Sequence, residues 1–230
     1  MMEKEKLILK LDFESTNGKY IKKYNNNYEI SIENLKVNYG DKIKVHRNNV
    51  LDLNSKDEYL VVLECVNQLL KIGYNPEDIE IEKQYRFGRQ YKSYCDVLVK
   101  KNNKTYLIIE CKTFGNEYIR AKELTIKDGD QSFSYLRQEP DVKVVSLYTS
   151  KLKEDKIVRN YDFIRVKQGW NQLSHEDSYK DWDKSFEKKG LLEDNAKPYS
   201  TDKGNLTYND LKNLNETEGG FIFNLFAEIL

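Results

Sequence analysis

The chain has 230 residues, enough to bury a proper core without disulfide staples, so one α/β domain with extensions, or one domain plus a small second one, is expected. Hydrophobic residues make up 39% and charged residues 33%, with apolar runs of only a few residues, which argues against a membrane span or a signal peptide. The 38 basic and 38 acidic residues cancel, so the field of the whole molecule gives no argument for a nucleic-acid partner. Cys65, Cys95 and Cys111 are odd in number, lie in apolar stretches and form no CxxC, so a reduced cytoplasmic compartment is expected and a zinc site is not.

In chain order, residues 1–50 contain short alternating pieces, KLILKL, NYEISIE and KIKVHR, which predict strands in a β-rich N-terminal extension. From Ser55 the period becomes helical. Tyr59, Val62, Leu63, Val66, Leu69 and Leu70 recur at three- and four-residue steps, predicting a helix over 55–72 with Ser55 as N-cap and Gly73 as the stop. Three β-like runs follow, IEIEKQYRF, YCDVLVKK and TYLIIECK, the last two joined by Asn102 and Asn103, which tolerate the positive φ of a tight hairpin. A helical stretch over 116–138, interrupted near Gly129 and closed by Pro140, leads to the strand VKVVSLYTS and a further one around YDFIRV. The pattern is a core over 51–166 with a mixed central sheet flanked by helices. Residues 167–230 form a C-terminal extension that reads as helical or irregular, ending on the apolar FIFNLFAEIL. That ending is either a helix docking back on the core or the start of a following domain.

The chemistry centres on the hairpin. A two-residue turn at Asn102 and Asn103 sets position 96 opposite 109, and a single bulge shifts it to 110, so Asp96 and Glu110 should be neighbours. Alternation along the second strand points Glu110 and Lys112 the same way. Two adjacent carboxylates at the end of an apolar hairpin repel unless a cation neutralises them, and carboxylates select a hard ion such as Mg²⁺, to which the Cys111 carbonyl could add an oxygen. Lys112 would then orient a water or stabilise negative charge developing on a phosphodiester. The tripeptide ExK alone says little, because it recurs at Glu154–Lys156 and Glu187–Lys189. Taken alone, the hairpin fits a surface Glu–Lys pair as well as an active site.

Local charge adds a substrate argument. Between Lys83 and Lys104 the seven basic residues Lys83, Arg86, Arg89, Lys92, Lys100, Lys101 and Lys104 face the single acid Asp96. Lys83, Arg86, Arg89 and Lys92 are the residues offered to DNA phosphates. Downstream, Gln131 and Tyr135 stand four apart on one helix face, where an amide and a phenol can meet phosphate oxygens or bases. Gln90 and Tyr94 repeat that spacing in a β-like run.

Asp96, then Glu110-Cys111-Lys112, then Gln131 to Tyr135 resembles the PD-(D/E)xK motif followed by QxxxY, in the order of the N-terminal nuclease domain of type I restriction enzyme R subunits and related single-chain restriction-modification enzymes. The stretches YGDKIKVHR, VVLECVNQLL, GYNPEDIEIEK, YLIIECKTFG, KDGDQSFSYLRQE and VVSLYTS carry the likeness over residues 38–150 and more weakly to 200. Cys95 stands where the motif's name has proline. The resemblance implies a restriction-endonuclease-like core acting on double-stranded DNA in defence against foreign DNA, in the bacterial cytoplasm. It implies Asp96 and Glu110 as metal ligands for Mg²⁺ or Mn²⁺, Lys112 as the catalytic lysine, Gln131 and Tyr135 as the auxiliary motif and Glu64 as an additional acid. In such enzymes the nuclease is part of a larger assembly. No GxxxxGK[ST] or NPPY occurs in the sequence, so ATP and S-adenosylmethionine would act only through motor, methyltransferase and specificity domains outside it. The alternatives are a catalytically inactive nuclease-like module for DNA binding or assembly, and an RNA-directed enzyme on the same fold.

Overall fold

A computed structural model describes residues 3–87, 91–128, 135–136, 138–166 and 186–189. The first element corrects the sequence reading. KLILKL belongs to helix α1 (Glu3–Lys10), not to a strand. A strand would have buried Leu7, Leu9 and Leu11 together, but Leu7, Ile8 and Leu11 are buried while Leu9 is 37% exposed, which is helical spacing. Glu3 and Glu5 in the first turn and Lys10 in the last complement the helix dipole.

Strands β1 (Glu14–Thr16), β2 (Lys19–Tyr24), β3 (Tyr28–Glu33) and β4 (Lys36–Asn38) then form a four-stranded antiparallel sheet. The β-rich character expected of this segment holds, with one exception. β5 (Lys44–Val45), within KIKVHR, pairs parallel with β6 (Ile79–Phe87) and so belongs to the main sheet.

Helix α2 (Glu58–Lys71) begins three residues after the expected cap. Ser55 caps no helix; its hydroxyl bonds the Asp52 carbonyl at 2.8 Å. Gly73, with φ of 107°, ends the helix as expected: its N–H bonds Leu70 O and the Tyr74 N–H bonds Leu69 O, which satisfies the last carbonyls. Eleven of the 14 residues of α2 are buried, because the helix is covered on both sides. One contiguous core joins it to Ile30, Ile32 and Val37 of the small sheet and to Val97, Leu107 and Ile109 of the large one.

The large sheet has seven strands in the order β11-β10-β9-β8-β7-β6-β5. It adds β7 (Tyr91–Lys101), β8 (Lys104–Cys111), β9 (Val144–Lys153), β10 (Lys156–Val166) and β11 (Phe186–Lys189). β8 runs parallel to β9, and α3 (Asn116–Asp128) lies in the connection between them. Tyr118 and Ala121 of α3 pack with Ile108, Val145, Leu147, Tyr135 and Leu136 in a second core on the face opposite α2. The fold is therefore mixed α/β. Tyr135 and Leu136 are helical, within the expected helix over 116–138, whereas Gly129 and Gln131 lie outside the described residues. β11 is a further correction, since Phe186–Lys189 falls in a stretch expected to be helical or irregular and instead pairs antiparallel with β10. Among the described residues no helix is long and apolar enough to cross a membrane.

Candidate active site

The β7–β8 hairpin has the geometry that its sequence predicts. Asn102 and Asn103 both have positive φ, 52° and 64°, the signature of a two-residue turn matched to strand twist. Lys101 pairs with Lys104 and Lys100 with Thr105, after which the register slips, so that Val99 meets Leu107 and Val97 meets Ile109. Tyr106 is the extra residue. Continued one step, the shifted register sets position 96 opposite 110.

A second irregularity sits at the same level. Val97 and Val99 pack toward α2 but Cys95 packs toward α3, and on β6 Ile79 and Ile81 face α2 while Tyr85 faces α3. Strict alternation forbids both changes of face. Glu82, with φ of 55°, lies where β6 turns over, across from Asp96 between the pairs Ile81–Val97 and Lys83–Cys95. A non-glycine residue held at positive φ stores about 1–3 kcal/mol of strain and persists only where its surroundings over-determine it.

Asp96 and Glu110 are buried, at 6% and 3% exposure, and Lys112 lies beside both. The Lys112 backbone is fixed by its N–H donating to Tyr148 O at 2.9 Å, which extends the β8–β9 ladder. Its ammonium donates to Cys111 O at 2.8 Å and to Glu110 at 3.3 Å, and it pairs with Asp96 at 3.7 Å and with Glu58 at 3.2 Å. The oxygens that the sequence assigns to a metal thus surround a cation, but the cation is the lysine's own. Among the described residues no three His, Cys, Asp or Glu side chains stand at metal-holding spacing.

The charges do not cancel: three carboxylates share one ammonium. Burial first, and then the neighbouring Glu110, raise the Asp96 carboxyl well above the usual range, although the Cys111 N–H donates to it at 2.7 Å. Burial also raises Glu110, to about 6, against the opposing pull of Lys112. Lys112 itself is raised above the usual lysine value, because Glu110, Asp96 and Glu58 outweigh its desolvation. Glu110 Oε1 is buried without a hydrogen bond. A surplus of buried negative charge, a spare carboxylate oxygen and an all-oxygen donor set suit a hard divalent cation.

Glu58 and Glu82 are the acids that the sequence reading missed. Glu58 opens α2, where a first-turn acid looks like an ordinary dipole partner. Glu82 sits in the alternating IEIEK, where an acid reads as solvent-facing. It is in fact 3% exposed, 3.6 Å from Arg47, and its carboxyl is raised by burial.

Glu64 is not brought to Lys112. Arg159 Nε donates to its Oε1 at 2.6 Å, Gln68 donates to the same oxygen at 3.0 Å, and the Tyr148 hydroxyl donates to Oε2, so the acid from α2 that reaches the lysine is Glu58. Tyr135 is fully buried against Glu110, with its hydroxyl bonded to Ser93 Oγ at 2.7 Å and to Tyr94 O at 2.8 Å, so it braces β7 beside the acids. Gln131, Gln90 and Arg89 lie outside the described residues. Lys83 is spoken for by Glu139, and of the wider basic run Lys100 pairs with Glu80 and Lys104 with Asp141. Arg86 and Lys92 are exposed opposite one another on the β6–β7 hairpin.

Beside Lys112 opens a groove of about 830 Å³ between the start of α2 and the first turns of α3. No family model matches the sequence, and no curated protein matches it.

Proposed function

We propose that this chain is a divalent-metal-dependent DNA endonuclease domain with a PD-(D/E)xK core, of the type I-like restriction class. The observation that carries the reading is the bulged hairpin, which sets Asp96 and Glu110 side by side, buried and short of positive charge, around Lys112. Asp96, Glu110 and the Cys111 carbonyl would hold the ion. Mg²⁺, or Mn²⁺ in its place, supplies Lewis-acid polarisation of a phosphate and a more acidic water.

The chain's own groups do the rest. Asp96 is held by the Cys111 N–H, so its free oxygen is aimed rather than mobile. Lys112 carries a full positive charge at neutral pH and is tethered by its backbone to β9, which lets it meet charge developing on a phosphoryl oxygen without reorganising. Glu58, half-buried at the mouth of the groove, holds the ammonium on the side from which substrate would enter. In this reading specificity and delivery of double-stranded DNA belong to motor, methyltransferase and specificity partners.

Supercoiled plasmid incubated with the chain and Mg²⁺ should be nicked. Glu110→Gln, nearly isosteric, should reduce nicking to background with the thermal midpoint retained, and chelation should do the same to the unmodified chain. Cleavage that survives Glu110→Gln would refute the proposal. One observation favours a second reading, an inactive nuclease-like module for DNA binding or assembly: Lys112 already occupies the centre of the acids. That reading requires that Mg²⁺ leave the thermal midpoint unchanged.

A further inference from the structure

The groove beside Lys112 has a charge pattern and an aromatic wall that the proposed metal site does not use. Two of its three acids are paired with cations, Asp57 with Lys4 at 3.0 Å and Glu58 with Lys112 at 3.2 Å, while Glu117 accepts a hydrogen bond from the Thr113 hydroxyl and keeps its charge. Its two other cations, Lys56 and Arg120, form no ion pair among the described residues; the Lys56 ammonium only rests 5.6 Å from the centre of the Tyr59 ring. Lys56 and Arg120 are therefore the groove cations free to meet an anionic ligand, whereas Lys112 is already shared by Glu58, Asp96 and Glu110.

Phe114 lies two residues beyond Lys112 and lines the same groove, half-buried. The Lys151 ammonium sits 4.1 Å from its ring centre. A cation over one face fixes the ring and leaves its remaining surface to the groove. A ring so placed can stack on a nucleobase only if that base is out of a duplex. The groove volume, about 830 Å³, is in the range that encloses a small ligand and suits a short piece of one strand.

We propose that this groove binds a single DNA strand next to the scissile phosphate, with Lys56 and Arg120 on flanking phosphates and Phe114 stacked on an unpaired base. The inference rests on the nuclease reading for its choice of ligand, and it adds that the cleaved strand is engaged with at least one base unstacked.

The test is binding of fluorescein-labelled oligothymidylate to the full chain in chelator, by anisotropy across a salt series. Lys56→Gln and Arg120→Gln should each weaken binding and flatten the log–log salt slope by about 0.7 per charge removed. Phe114→Leu should weaken binding roughly tenfold while Phe114→Tyr, which keeps the ring, should bind as the unmodified chain does. Thermal midpoints of both Phe114 variants guard against unfolding. An unchanged slope in the double variant Lys56→Gln/Arg120→Gln, or equal binding by the Leu and Tyr variants, overturns the groove assignment. A chain that shows this pattern yet leaves plasmid uncut with Mg²⁺ keeps the groove and loses the nuclease. A chain that cuts while the groove variants bind normally keeps the nuclease and loses the groove.

Discussion

Helix α2 carries two acids toward the large sheet, Glu58 in its first turn and Glu64 farther along, and they enter opposite kinds of surroundings. Glu64 is fully buried and balanced: one guanidinium, one amide and one hydroxyl satisfy its two oxygens. Glu58 joins Asp96 and Glu110 around a single ammonium, with a carboxylate oxygen left over and both buried acids displaced upward. A buried charge with a matched partner is a fastening. Buried charges in excess of their partners cost stability and persist where something else, an ion or a substrate, completes them.

The difference can be broken from either side. The largest effect is expected from Arg159→Leu, which strands Glu64 in the core and should cost about 3–5 kcal/mol in urea unfolding, with Mg²⁺ giving no rescue. A loss below about 1 kcal/mol would show that Glu64 is not fastened as described. Lys112→Met should cost less, about 2 kcal/mol, because its side chain is 22% exposed and solvent screens part of the charge. Here millimolar Mg²⁺ should restore much of the loss. If neither variant or both respond to the ion, the two clusters are alike.

The pH dependence of the metal-free chain sharpens the same contrast. Glu110 titrates at about 6 when folded, above its ordinary 4.5, so the folded state holds its proton more tightly than the unfolded state. Its contribution to stability is complete below about pH 4.5 and is lost as the pH rises through 6, a fall on the order of 2 kcal/mol, and Asp96 acts in the same direction. Thermal midpoints from pH 4.5 to 7.5 should show this decline, and Glu110→Gln should flatten it. The smallest change is Tyr148→Phe, which removes one hydroxyl donor from Glu64 and should cost about 1 kcal/mol, with no effect on the response to Mg²⁺.

What was readable in advance follows from range. Asp96 and Glu110 lie in one hairpin whose Asn-Asn turn allows only a few registers, and Lys112 follows on the same strand, so their meeting is a local matter. Glu64, which the resemblance implies as an additional acid of the site, is fastened instead to Arg159, 95 residues away. Lys83 reads in the sequence as a phosphate contact, and the fold pairs it with Glu139, 56 residues on. KLILKL has apolar positions at both helical and strand spacing, which suits either element, and packing of Leu7, Ile8 and Leu11 into the common core chose the helix.

The sequence by itself determined the mixed α/β pattern, the tight hairpin, the stop of α2 at Gly73 and the nearness of Asp96, Glu110 and Lys112. These depend on backbone preferences and side-chain alternation over a few residues. Only the tertiary structure decided which charges are cancelled and which are left in surplus. That outcome depends on partners such as Glu58 and Arg159, which chain closure brings together over tens of residues, and the sequence pattern contains no distance between them.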